Sequence, residues 1–181
     1  MMEEIDSGTV NSVLSRPISF YEYYLGQFMG YKILTTIISF VIPIAIVLVI
    51  PGPTQLSRLP LACMLIFFYL IFVHTLSFSL ASFAFFFNRV YSLTVAKNIA
   101  LGVLTGELFP LDLVPEPFRH VVIALPFASA VYLPVGYLTG RLDERFIFQG
   151  LLSVAIGTAV IGFFAYMIWM AGRRRYSGTG A

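Results

Sequence analysis

Residues 59–87 read LPLACMLIFFYLIFVHTLSFSLASFAFFF, a run without a single Asp, Glu, Lys or Arg. About 20 predominantly apolar residues are enough to cross the ~30 Å hydrocarbon layer of a bilayer as a helix. This stretch therefore sets the fold class as an all-α polytopic membrane protein, and the rest of the chain is read around it. Residues 25–50 and 146–170 meet the same requirement. Residues 90–109 are long enough but carry Lys97, Asn98 and Glu107. A fifth apolar stretch, residues 121–138, is broken by Pro126 and Pro134, each of which removes a backbone donor and clashes with the preceding turn.

Charge arbitrates between four spans and five. With four spans and both termini cytoplasmic, the inner side holds Arg16, Lys32, Arg89, Lys97 and the cluster Arg173, Arg174 and Arg175. The outer side holds only Arg58, Arg119, Arg141 and Arg145, interleaved with Asp112, Glu116, Asp143 and Glu144. Cytoplasmic loops are the richer in Lys and Arg, so four spans are expected, over residues 19–50, 59–87, 90–109 and 146–170. Residues 110–139 then form a re-entrant helical hairpin on the outer face, a lid over a cavity or partner, because irregular backbone at that depth survives only under protein or water. Residues 171–181 are a cytoplasmic tail, and the whole chain is one membrane domain.

Composition agrees. Of 181 residues, 59% are hydrophobic and 11% charged, against roughly 25% charged in a typical soluble domain. The mean hydropathy is +0.89. A net charge of +2 is too small to call for nucleic acid. Cys63 is the lone cysteine, so no disulfide framework is available. Glu3, Glu4 and Asp6 stand where a signal peptide would be basic, so the spans themselves are expected to direct insertion.

The ends of the spans carry local signals. Ser19-Phe-Tyr-Glu22 has the form of a capping box, with Ile18 and Tyr23 as its staple. Pro60 suits a first helical turn, Pro43 falls inside a span, and Tyr166 and Trp169 mark an interface before the arginine cluster. Upstream, Val10, Val13 and Leu14 share one face of a short helix over residues 5–16, ended by Arg16 and Pro17. It is too short to span and lies flat on the cytoplasmic face. No internal repeat is evident.

Chemistry-bearing motifs are missing. There is no Gly-x-x-x-x-Gly-Lys-Ser/Thr phosphate loop, no His-Glu-x-x-His, no Cys-x-x-Cys and no Gly-x-Ser-x-Gly. No cofactor or metal is expected, and the chain is not read as an enzyme. Packing signals are stronger. Gly102 and Gly106 form a Gly-x-x-x-Gly pair that Asn98 and Thr94 extend, while His74, Ser77, Ala81, Ala84 and Asn88 make a small, polar stripe in the second span. Small residues let helices approach closely in lipid. Lys32 and Lys97 are placed to snorkel to headgroups, and His74 is the deepest titratable group, expected to hydrogen-bond a neighbouring helix.

Several runs resemble one family. Ile5-Asp-Ser-Gly8, Val13-Leu-Ser-Arg16-Pro17-Ile-Ser19, Gly106-Glu-Leu-Phe-Pro110-Leu-Asp-Leu-Val-Pro115, Leu125-Pro-Phe-Ala128, Val131-Tyr-Leu-Pro134 and the Arg173-Arg-Arg-Tyr-Ser-Gly178 ending resemble type-2 ABC exporter permeases, in particular a bacterial multidrug- or lipid-exporter-like branch. The resemblance implies that residues 5–16, with Gly8, Val10, Val13, Leu14, Arg16 and Pro17, are the coupling helix that docks on a separate ABC-type ATPase subunit. It implies that Pro110, Asp112, Pro115, Pro126 and Pro134 belong to the re-entrant outer gate. Such permeases have two spans before the coupling helix, so this chain resembles a copy lacking them. The function implied is that of the membrane-spanning permease subunit of an ATP-driven exporter in the bacterial inner membrane, paired with a second permease copy. The alternatives are a non-transporting membrane scaffold or assembly factor, or a truncated, inactive permease fragment.

Overall fold

The computed structural model describes residues 12, 17, 19–49, 55–87 and 91–175, with backbone alone for 36–49, 91 and 175. The described residues are helical with no strand. The helices are α1 (Phe20–Val49), α2 (Leu59–Ser82), α3 (Tyr91–Leu104), α4 (Glu116–Ala124), α5 (Tyr132–Leu138) and α6 (Glu144–Arg175). Single 3₁₀ turns flank α2 and punctuate the segment between α3 and α5.

Among the described residues, two helical stretches are long and apolar enough to cross a membrane: 56–85, which contains α2, and 144–174 in α6. At 1.5 Å per residue, the 32 residues of α6 reach about 48 Å. Helix α1 has 30 residues and runs unbroken through Pro43, a length of about 45 Å. Helix α3 is different. Expected over 90–109, it has 14 residues and covers only about 21 Å, short of the hydrocarbon thickness.

The cause is a local stop signal. Gly106 adopts φ +84°, a left-handed conformation that favours glycine. The Gly106 and Leu108 N–H groups donate back to Val103 O (3.2 Å) and Gly102 O (2.8 Å). The Leu108 side chain folds onto Gly102, where a Cβ would lie 2.6 Å from Leu108 Cδ1. Helix α5 ends in the same way. Gly140 has φ +74°, its N–H donates to Tyr137 O, the Leu142 N–H donates to Gly136 O (2.9 Å), and Leu142 covers Gly136. The two segments are GVLTGEL (102–108) and GYLTGRL (136–142), one seven-residue helix-ending pattern used twice.

Helices α2 and α6 make the most extensive helix–helix contact among the described residues. One core cluster gathers Leu65, Tyr69 and Phe72 of α2 with Ile147 and Val154 of α6 and with Leu111, Ala128, Leu133 and Tyr137. A second, toward the other end of both helices, joins Phe78 of α2, Ala165 and Trp169 of α6, and Phe20 and Tyr24 of α1. Trp169, expected as an interface marker, is instead buried and stacks on Phe20 at 4.3 Å between centroids. The other face of α6 shows Phe148, Leu152, Ile156, Val160, Phe163 and Met167 outward, as a lipid-facing helix requires.

Phe72 is fully buried at the centre of the first cluster. Phe72→Ala is expected to cost about 3–5 kcal/mol in detergent unfolding, whereas the same change at half-exposed Phe67 should cost far less.

Candidate functional site

Three regions hold the residues singled out from the sequence. Of the residues that the resemblance implies for coupling, Gly8, Val10, Val13, Leu14 and Arg16 lie outside the described residues. Pro17 is an exposed bend residue just before α1. It lines a cavity of about 820 Å³ with Ser19, Phe20, Thr75, Trp169 and Arg173, at the junction of α1, α2 and α6.

The second region is residues 110–139, a succession of short helices and 3₁₀ turns. Pro110 and Pro115 are exposed and stand at the starts of the 3₁₀ turn 111–113 and of α4. Pro126 opens a 3₁₀ turn and Pro134 is buried in the first turn of α5. Beneath the turn 126–129 and α5 lies the packed first cluster, where the sequence suggested a lid over a cavity or partner. Close approach to α6 is set by two glycines the sequence analysis passed over. A Cβ on Gly150 would meet Leu133 Cδ1 at 2.8 Å, and one on Gly157 would meet Pro126 Cγ at 3.0 Å. Ser153, between them on α6, donates to Ala124 O at 2.7 Å and ties down the end of α4.

Arg58 was read only as an outer charge. Its Nη1 donates to Tyr137 O (2.9 Å) and Leu142 O (3.2 Å), and its guanidinium lies 4.8 Å from the Tyr137 ring centroid. It is a second donor to Tyr137 O, which also accepts from the Gly140 N–H, and it ties that helix end to Leu142 O beyond it. Asp112 accepts from Tyr132 Oη and from Arg141 Nη1, both at 3.0 Å. These bonds, the Tyr132 hydroxyl first, hold the Asp112 carboxyl below the usual range. Burial, then the bond to Asp112, pushes the Tyr132 phenol up.

The third region is a cavity of about 350 Å³ among α1, α2 and α3. His74, Ser77, Thr94 and Lys97 line it together. Lys97 Nζ donates to Ser77 Oγ at 2.9 Å, and Ser77 donates on to Val73 O at 2.7 Å. His74 is buried and packs edge-on against Tyr21 at 5.0 Å. Its Nε2 has no partner. The adjacent Tyr21 hydroxyl meets Thr75 Oγ1 at 2.8 Å, and Thr75 in turn donates to Ile71 O.

The remaining packing residues fall elsewhere. Asn98 is exposed on α3. Gly102 and Gly106 act at the end of α3 rather than on a helix–helix face, because Leu108 of the same chain covers Gly102 and Gly106 lies beyond the helix. The signal that distinguishes the two uses is the leucine two residues after the second glycine, repeated at Leu142.

A tightly paired α2–α6, apolar outside and braced by short helices, with basic and polar groups held between helices, defines an α-helical membrane protein. The chain belongs to the ABC-2 transporter family: a family model described as ABC-2 family transporter protein matches residues 1–180. It is thus a membrane component, a permease, of a class that works with ABC ATPase subunits and is not itself an ATPase. Comparison with curated proteins and with solved structures returned no match.

The Asp112 contacts favour the ionised carboxylate, so their contribution is present above the unfolded carboxyl pKa of ~4 and is lost as pH falls through the depressed folded value. The side chain is about half exposed, so the effect is below about 1 kcal/mol. The stability gap between wild type and Asp112→Asn is expected to be constant near neutrality and to close in acid, as read by thermal unfolding in detergent across a pH series.

Proposed function

We propose that this chain is the membrane-spanning permease subunit of an ABC exporter of the bacterial inner membrane, with four spans and both termini cytoplasmic. Membership of the ABC-2 family over residues 1–180 is the observation that carries this reading. The charge asymmetry supports the orientation, and two helices with membrane-spanning length and composition support the bilayer setting. The third and fourth spans would be α1 and α3. The short reach of α3 is compatible with a span only if its capped end, residues 105–109, is covered by protein.

In this reading residues 5–16 form a helix that docks on the ATPase subunit. Movement of that subunit pushes the segment, and Pro17 passes the push to the first turns of α1. There Phe20 is stacked on Trp169 and Tyr21 contacts Phe78 at 5.2 Å, so the displacement reaches α2 and α6 through aromatic contacts. At the opposite end the same two helices carry residues 110–139, held by Gly150, Gly157, Ser153 and Arg58. That segment serves as the outer gate, and rocking of the α2–α6 pair moves it as a unit. Rigid-body shifts of packed helices are a common form of such transitions. A second permease copy would complete the pathway.

The test is co-expression with a candidate ATPase subunit. The expected result is co-purification of the two chains and ATPase activity that responds to the permease, with Arg16→Glu abolishing the response while leaving the permease folded. Stable, fully coupled complexes after Arg16→Glu would overturn the assignment of residues 5–16. Absence of any ATPase association would favour a membrane scaffold instead.

A further inference from the structure

The cavity among α1, α2 and α3 is unusual for a membrane interior in the sign of its charge. Lys97 on α3 lines it and contacts Ser77. Lys32 on α1 stands over the ring of Phe28, a wall residue, at 5.9 Å from the centroid. Among the described residues, the ion pairs all lie between residues 112 and 145, so neither lysine is paired with a described carboxylate. His74 Nε2 is a third polar group left open, on a side chain 5% exposed. Gln27 adds an amide at the rim. A like-charged pair in a low-dielectric setting is costly, and buried polar atoms ordinarily find partners.

A single water would not complete the arrangement. The cavity measures about 350 Å³, roughly ten times the ~30 Å³ share of one water. Donors converging from three helices suit an acceptor with several oxygens. Two ammonium groups exclude a cation.

Depth and walls narrow the ligand. Lys97 is about 9 Å from the start of α3, and Ser77 about 8 Å from the end of α2. Both sit one to two turns inside the same end of the bundle, the depth at which headgroups meet acyl chains. Phe28 and Phe78 supply apolar wall beside the basic groups. We infer that this cavity is a binding site for the phosphate headgroup of an anionic amphiphile, with Lys97, Lys32 and His74 as its recognition groups. The site needs only a bilayer, not an ATPase partner, so its failure and that of the exporter reading are separate events.

The experiment is native mass spectrometry of the full chain in detergent with dioctanoyl phosphatidic acid, and with dioctanoyl phosphatidylcholine as the zwitterionic control. Wild type is expected to prefer the acid, and Lys97→Gln to weaken that binding about tenfold, the equivalent of one lost charge-assisted contact. Lys97→Arg should retain it, and Arg119→Gln, remote from the cavity, should leave it unchanged. Thermal unfolding of each variant reports whether it is folded, and Lys32→Gln replaces Lys97→Gln if that variant is not. Inorganic phosphate is then added as competitor. No displacement identifies a membrane amphiphile as the ligand. Displacement at millimolar phosphate shows a site that takes the anion alone and overturns the amphiphile while keeping the anion site. Equal binding of acid and choline lipids, or undiminished binding by the folded glutamine variants, overturns the inference altogether.

Discussion

The close contact between α2 and α6 is the interaction on which the rest of the molecule depends. Lipid tails are as apolar as leucine, so nothing hydrophobic drives two such helices together, and packing must do it. Leu65, Phe72 and Phe78 supply large faces on α2, and Val154 and Ala165 the matching surface on α6. Gly150 and Gly157 then remove bulk from α6 where the turn at 126–129 and α5 must fit against the same pair. Helices α1, α3, α4 and α5 each contact this two-helix spine.

That dependence explains how irregular backbone is tolerated between α3 and α6. Unpaired N–H and C=O groups are expensive wherever water is scarce. Here helix ends are closed by their own chain through the twin glycine-threonine-leucine pattern, by Arg58 on the carbonyls of Tyr137 and Leu142, and by Ser153 on Ala124. The Gln55 N–H also donates to Leu138 O at 2.8 Å. Residues 55–58 and 137–142 therefore form one hydrogen-bonded corner. Capped in this way, the segment divides into four short helical pieces between α3 and α6 with these end groups paired.

Much of this was legible from residue pattern. The charge-free run at 59–87 and the apolar run at 146–170 declared the two helices that pass for spans, and Pro110, Pro115, Pro126 and Pro134 announced short helical pieces between them. What the pattern hid was contact made across sequence distance. Gly102 and Gly106 look like a packing face because spacing alone does not reveal that Leu108 folds back on Gly102. Trp169 carries the composition of an interface anchor, yet Phe20, more than a hundred residues earlier, stacks on it. The grouping of Lys97 with His74 and Ser77 follows from how α3 lies beside α2, which no local period encodes.

The same distant contacts give α1 an asymmetric attachment. Its first turns are fixed: Phe20 to Trp169, Tyr21 to Thr75 and His74, Tyr24 within the second cluster. Beyond Tyr24, Gly26 and Gly30 have no atom near a would-be Cβ, and Tyr31 and Leu34 are exposed. From that aromatic junction α1 continues to Phe28, which packs beside His74 at 5.2 Å on the cavity wall. The basic cavity sits beside that junction, between the pinned part of α1 and α3. A rotation of α1 that carried Lys32 away from α3 would widen the gap between Lys32 and Lys97. An anion held between them would resist the opening of that gap, which couples the occupancy of the cavity to the position of α1.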